Sequence, residues 1–221
     1  MALTQTEQEV QDSLDWKISK DSDEGIRVDP SDPTFPWHDI IGQITPAPSN
    51  PSSPSIDAFK GNIEEYHFSN GDYSFITFHM PHDYKLGTDL FLHVHWGHNG
   101  TAISGTNVMI SRFMYAPRTA TPASVFGAEN TLNISVPVDI TNFPQYCHSV
   151  DEIQISQSGG GVNLLDSDDI MPDGLVLVEI EQSTLPTITG GTESEPFIFT
   201  ADLHYQSTCI GTKNSAAPFY T

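Results

Sequence analysis

LFLHVHWGHNG, residues 90–100, decides the fold of this chain. Leu90, Leu92, Val94 and Trp96 alternate with Phe91, His93 and His95, the period of two that belongs to a half-buried β-strand. The apolar row must then face a core, and Phe91, His93 and His95 must share the opposite face. A Phe beside two His makes a poor solvent face, so that face is expected to be covered.

The same patterning recurs outward from this stretch. IEEYHF and YSFITFH flank SNGD, whose Asn70-Gly71 pair signals a tight hairpin. Further strands are predicted in residues 103–115, 131–138, around Val150, 175–182 and 197–206. Eight strands joined by Gly-, Pro- and Ser-rich loops predict an all-β chain, a jelly-roll-like antiparallel β-sandwich. This body is assigned to residues 63–206, with a C-terminal tail over 207–221. Residues 1–62 read differently. Val10, Leu14 and Ile18 have helical spacing, and Thr6 with Glu9 has that of a capping box, predicting a short acidic helix over 6–18. Seven prolines from Pro30 to Pro54 follow. Because proline lacks the N–H donor, this segment is expected to be an extended arm rather than a continuous sheet strand. Its apolar anchors are Phe35, Trp37, Ile40, Ile41 and Ile44. With Phe219 and Tyr220 of the tail, Phe35, Trp37, Ile40 and Ile41 are the expected partner-binding residues.

Charge bounds the partners. The 221 residues carry 29 acidic and 8 basic side chains, a formal net charge of −21, with no Lys or Arg between Arg118 and Lys213. Such a surface repels phosphate backbones and anionic headgroups, which excludes nucleic acid and membrane as expected partners. It suits either simple solubility or docking to a basic protein face. Cys147 and Cys209 form no framework of disulfides or CxxC metal pair and are expected to be reduced. No apolar run approaches the ~18 residues of a bilayer span. The polar, acidic MALTQTEQEV has no signal-peptide core, so synthesis in a cytoplasm is expected.

His93 and His95 project from one strand face about 6.5–7 Å apart, close enough to chelate one ion. HVHWG resembles the zinc strand of α-type carbonic anhydrases, whose third His lies on the next strand. The corresponding RFMYAPRTATP has none. It also resembles the H-x-H of cupins, where a Glu follows; here Gly97, His98, Asn99 and Gly100 stand in that place. Alternatively, three copies of such a strand meeting on a three-fold axis supply six imidazoles, an octahedral set suited to iron or nickel. The plain alternative is a pair of sheet histidines hydrogen-bonded within the fold. Asp166, Asp168, Asp169 and Asp173 offer oxygen ligands for calcium but lack an EF-hand pattern, and read as a solvated acidic loop. No nucleophile elbow or phosphate loop appears.

Two longer stretches, PHDYKLGTDLFLHVHW (residues 81–96) and ADLHYQSTCIGTKNSAAPFYT (201–221), resemble a family of poorly characterised virion proteins of tailed bacteriophages. The H-D-Y-K-x-G-T-D run, the HxHW strand and the Y-Q-S-T…G-T-K-N tail carry the likeness. It implies a homotrimeric virion component with a β-sandwich body on the outer surface of the particle, docked on the major capsid protein or another virion protein. The expected function is capsid decoration or cement, with a short head or tail fibre as the alternative. No catalytic residue and no cofactor is expected beyond a structural metal ion at His93 and His95. A zinc hydrolase or lyase using those two histidines is the enzymatic alternative.

Overall fold

A strand with one apolar face must bury it against a second apolar layer, and the chain does so with two six-stranded antiparallel sheets. The computed structural model describes residues 16–20, 26–30, 35–48, 52–118 and 125–208. It divides into two compact units, Met1–Pro36 and Trp37–Thr221. In the first, β1 (Trp16–Lys20) and β2 (Ile26–Pro30) form an antiparallel hairpin. The second contains β3 (Trp37–Gly42), β4 (Thr45–Pro46), β5 (Ser55–Lys60), β6 (Ile63–His67), β7 (Tyr73–His79), β8 (Phe91–Gly97), β9 (Ala102–Ala116) and β10 (Asn130–Asp139). It continues with β11 (Ser149–Gln154), β12 (Ser156–Gln157), β13 (Leu165–Asp166), β14 (Leu175–Thr184), β15 (Thr187–Thr189) and β16 (Phe197–Gln206).

The eight strands expected from alternation are β6 to β11, β14 and β16. One sheet orders them β6–β16–β8–β11 and the other β7–β14–β9–β10. Numbered by themselves, these are first-eighth-third-sixth and second-seventh-fourth-fifth, the strand order of a jelly roll. Leu92, Val94 and Trp96 of β8 point inward and are fully buried, with Ala201 and Leu203 of β16 beside them. Ile76, Phe78, Met109, Phe113, Val176, Val178 and Ile180 answer from the opposite sheet. Burying such side chains contributes about 1.5–3 kcal/mol apiece.

Two expectations about the N-terminal region are corrected. Residues 16–18, placed in a helix by the spacing of Val10, Leu14 and Ile18, lie in β1, where Ile18 stands opposite Val28. Cross-strand pairing has overridden a weak helical period; residues 6–15 lie outside the described set. The body also begins earlier than residue 63. β3 pairs with β16 over six residues, β4 pairs with β7, and β5 pairs with β6. The prolines permit this because none falls between Trp37 and Thr45, so β3 keeps its donors. Ile40 packs on the core, Ile44 is buried, and β3 fits because residue 42 is glycine. A Cβ there would stand 2.3 Å from Ile76 Cγ2 and 2.7 Å from the Phe78 ring.

β16 contains one irregularity with large consequences. Ile198 pairs with Trp96, but the next partner of β8, His95, faces Thr200. Phe199 is thus an extra residue, a bulge that reverses the parity of the strand. Before it, Ile198 points inward; after it, Ala201, Leu203 and Tyr205 do, and Asp202 lands opposite His93.

Among the described residues Trp96 is the largest fully buried side chain, and its indole Nε1 donates to Asp151 Oδ2 at 2.7 Å. Burial pushes the Asp151 carboxyl up from its ordinary value, partly opposed by that hydrogen bond. A raised carboxyl favours the fold while protonated and loses that contribution as pH rises above the unfolded value. Asp151→Asn keeps an acceptor without the buried charge and should unfold at equal or higher denaturant concentration near neutral pH. Asp151→Leu strands the indole N–H and should cost about 1–3 kcal/mol. Urea titrations of both variants check the pair.

Candidate functional site

The outward residues of β11, β8, β16 and β3 lie on one sheet face. Period two and the strand registers bring together Glu152 from β11, Phe91, His93 and His95 from β8, Asp202 and His204 from β16, and Trp37, Asp39 and Ile41 from β3. His148, just before β11, joins them. His93 Nδ1 stands 3.0 Å from Asp202 Oδ1, and His93 Nε2 is 2.8 Å from Glu152 Oε2. His95 Nε2 is 2.6 Å from Asp202 Oδ2, and its Nδ1 is 2.8 Å from His148 Nε2. His204 Nδ1 lies 3.2 Å from His93 Nε2 and 3.6 Å from Asp39 Oδ1. The His93 and His95 side chains are 14% and 18% exposed, and Asp202 is 6% exposed.

His93 and His95 therefore share a face, as expected, and this face is partly covered by the chain itself. Trp37 packs edge-on against Phe91 at 5.5 Å and His204 at 4.8 Å between ring centres. The partner-binding candidates divide. Ile40 and Phe35 are half-buried, whereas Trp37 is 45% and Ile41 79% exposed. Phe219 and Tyr220 lie outside the described residues. His98 is fully buried away from this face and donates its Nε2–H to Phe143 O at 2.8 Å. The acidic loop is held by its own chain: Asp166 accepts from the Gly159 and Asp168 amides, and Asp168 from Ser158. Burial raises the half-buried Cys147 thiol, which leaves less of it as reactive thiolate.

Asp202, His204, Glu152, His148 and Asp39 were not singled out from sequence. Asp202-Leu203-His204 is itself a polar-apolar-polar alternation in a predicted strand, mirroring His93-Val94-His95. That signal could have paired the two strands, but Asp202 is set opposite His93 by the bulge.

A second cluster, around one carboxylate, lies at one end of the β7–β14–β9 sheet. Asp173, at a left-handed φ of 61°, meets His82 Nε2 at 2.8 Å, His79 Nε2 at 3.0 Å and Arg118 Nη1 at 2.9 Å. His82 thus anchors the loop before β14.

No family model matches this chain, and no curated protein matches it. Among solved structures, an isomalto-dextranase of Arthrobacter globiformis T6, complexed with panose, aligns with 80% of this chain at 13% identity and a TM-score of 0.31. The chain spans 24% of that enzyme's length. So low a score supports no argument about fold or function.

Burial pushes the Asp173 carboxyl up, but the His82 hydrogen bond and the charges of His82, His79 and Arg118 outweigh it and hold the group below its ordinary value. A lowered carboxyl stabilises the fold above its unfolded pKa and loses that contribution as pH falls through the folded one. Asp173→Asn, which tolerates the same backbone conformation, should melt earlier than the native protein near neutral pH. The gap should narrow as pH falls into the acid range and the carboxyl protonates; thermal scans across that range check this.

Proposed function

We propose that this chain is a structural component of a tailed-phage particle, a homotrimeric capsid decoration or cement protein displayed on the outer surface. The observation that carries this reading is an unfinished apolar face. Trp37, Ile41 and Val150, all outward on one sheet, are 45%, 79% and 43% exposed in a chain of net charge −21. Exposed apolar side chains on β3 and β11, flanking the histidines of one sheet face, offer a contact surface, and copies of the chain related by a three-fold axis would cover it. The acidic remainder suits docking to a basic face of the major capsid protein. The likeness of residues 81–96 and 201–221 to tailed-phage proteins supports the same placement. Synthesis would occur in the host cytoplasm, and the protein has no need of nucleic acid or membrane.

Light scattering should find a trimer at micromolar concentration. Ile41→Ser combined with Val150→Ser should weaken association about tenfold or more while leaving the melting temperature of the monomer unchanged. In assembled particles the copy number should approach that of the major capsid protein. A native protein that stays monomeric overturns the trimer, and a handful of copies at one vertex moves the protein to a short head or tail fibre.

A second reading, a zinc hydrolase or lyase, is favoured by the carboxylate of Asp202 beside His93 and His95. Carbon dioxide hydration and ester hydrolysis by zinc-loaded protein, abolished in His95→Ala with the fold intact, would establish it over the structural reading.

A further inference from the structure

We propose that His93 Nδ1, His95 Nε2 and the Asp202 carboxylate bind one divalent transition-metal ion of the zinc class per chain, with a further coordination position open to water. This goes beyond the assembly reading, because all three donors come from one chain and no symmetry axis is required.

The placement of the donors comes first. His93 and His95 share a face by strand periodicity, and the bulge at Phe199 puts Asp202 directly opposite His93. The three donor atoms lie within 4.8 Å of one another, with 3.0 Å from Asp202 to His93 and 2.6 Å to His95. Donors of a tetrahedral zinc ion with bonds near 2.1 Å are about 3.4 Å apart, so small side-chain rotations suffice.

The carboxylate supplies the second argument. Asp202 is 94% buried, yet its Oδ1 has no hydrogen-bond partner. His93 Nδ1 is near it but not aligned to donate. A buried carboxylate oxygen without a partner is costly, and a cation between it and the two imidazoles would satisfy it.

The outer nitrogens supply the third. With Nδ1 of His93 on the ion, its Nε2–H donates to Glu152 at 2.8 Å. With Nε2 of His95 on the ion, its Nδ1–H donates to His148, also at 2.8 Å. Ligating histidines characteristically engage their second nitrogen in this way, which fixes tautomer and ring orientation. Two imidazoles and one carboxylate suit zinc, iron or nickel and discriminate against calcium and magnesium, which want oxygen. The neighbouring trio of Asp39, His93 and His204 also converges, but its carboxylate is half exposed and so lacks the buried, unsatisfied oxygen.

The test uses the full chain, stripped with chelator and titrated with Zn²⁺ by calorimetry, with Ca²⁺ and Mg²⁺ as controls. One Zn²⁺ per chain is expected, bound at least about a hundredfold more tightly than either control. Asp202→Asn and, separately, His95→Gln should weaken it tenfold or more, whereas Asp39→Asn should change it less than twofold. Zn²⁺ should raise the melting temperature of the native protein and leave that of His95→Gln unmoved. His95→Gln keeps the test open if loss of the buried Asp202 prevents folding. Zn²⁺ bound no better than Ca²⁺, or unchanged affinity in a folded Asp202→Asn, overturns the proposal. So does one ion for every three chains, the signature of a shared axial site. Light scattering on the same samples reports association separately: a monomer holding one ion sinks the trimer and leaves this site standing.

Discussion

The pairing of β16 with β8 is the constraint on which the rest of the structure depends. Seven residues of β8 stand against partners in β16, and from Leu92 to Trp96 every second one is committed to the core. Because side chains alternate strictly, the register of this pair decides two things together: which apolar residues fill the space between the sheets, and which polar residues meet outside. The bulge at Phe199 reconciles them. Both Ile198 and Ala201 are buried although they are three positions apart, which an unbroken strand could not achieve. The extra residue packs its ring against Phe59, 5.0 Å between centres, rather than being left in solvent.

A second theme is how a chain so poor in Lys and Arg handles its carboxylates. Among the described residues, Arg112 pairs with Glu179 and Glu181, and Arg118 with Asp173. Elsewhere imidazoles take that role: His67 faces Glu193 and Glu195, His79 and His82 face Asp173, His93 faces Asp202 and Glu152, and His95 faces Asp202. A neutral imidazole offers one N–H donor and accepts at its other nitrogen, so it can link two groups in series where an ammonium would only terminate a pair. His95 does this, with Asp202 Oδ2 at its Nε2 and the His148 imidazole at its Nδ1. The outer face is consequently a connected network in which β11, β8 and β16 are joined side chain to side chain above their backbone ladders.

Much of the body was legible in the sequence because its strands advertise a period of two. The apolar row of Leu90, Leu92, Val94 and Trp96 faces the core, and all eight strands predicted from alternation are present. What escaped did so for identifiable reasons. β3 was hidden by its surroundings, since proline density describes a whole segment while pairing needs only the proline-free interval from Trp37 to Gly42. The turn of phase at Phe199 is invisible to pattern reading, which averages over several residues and cannot locate a single insertion. Asp202 and His204 lie more than a hundred positions from His93, and only the jelly-roll order makes their strands neighbours. The pairing of His93 and His95 on one face was therefore readable, whereas the carboxylate beside them was not.

The place of β16 in the sheet also bears on how the body assembles in time. It is the last of the eight principal strands to be synthesised, yet it lies in the interior of its sheet, touching β8 on one side and β3 and β6 on the other. Until Gln206 has left the ribosome, β8 with β11 and β5 with β6 are two separate half-sheets whose facing edges have no partner. The opposite sheet can close earlier, since β14 already joins β7 to β9. Such non-local closure is slow and exposes unpaired edges while it waits. A ribosome paused before residue 197 would thus hold a half-built sandwich with its apolar layer open to solvent. Chaperone dependence should accordingly rise and fall with the rate at which the final strand is delivered.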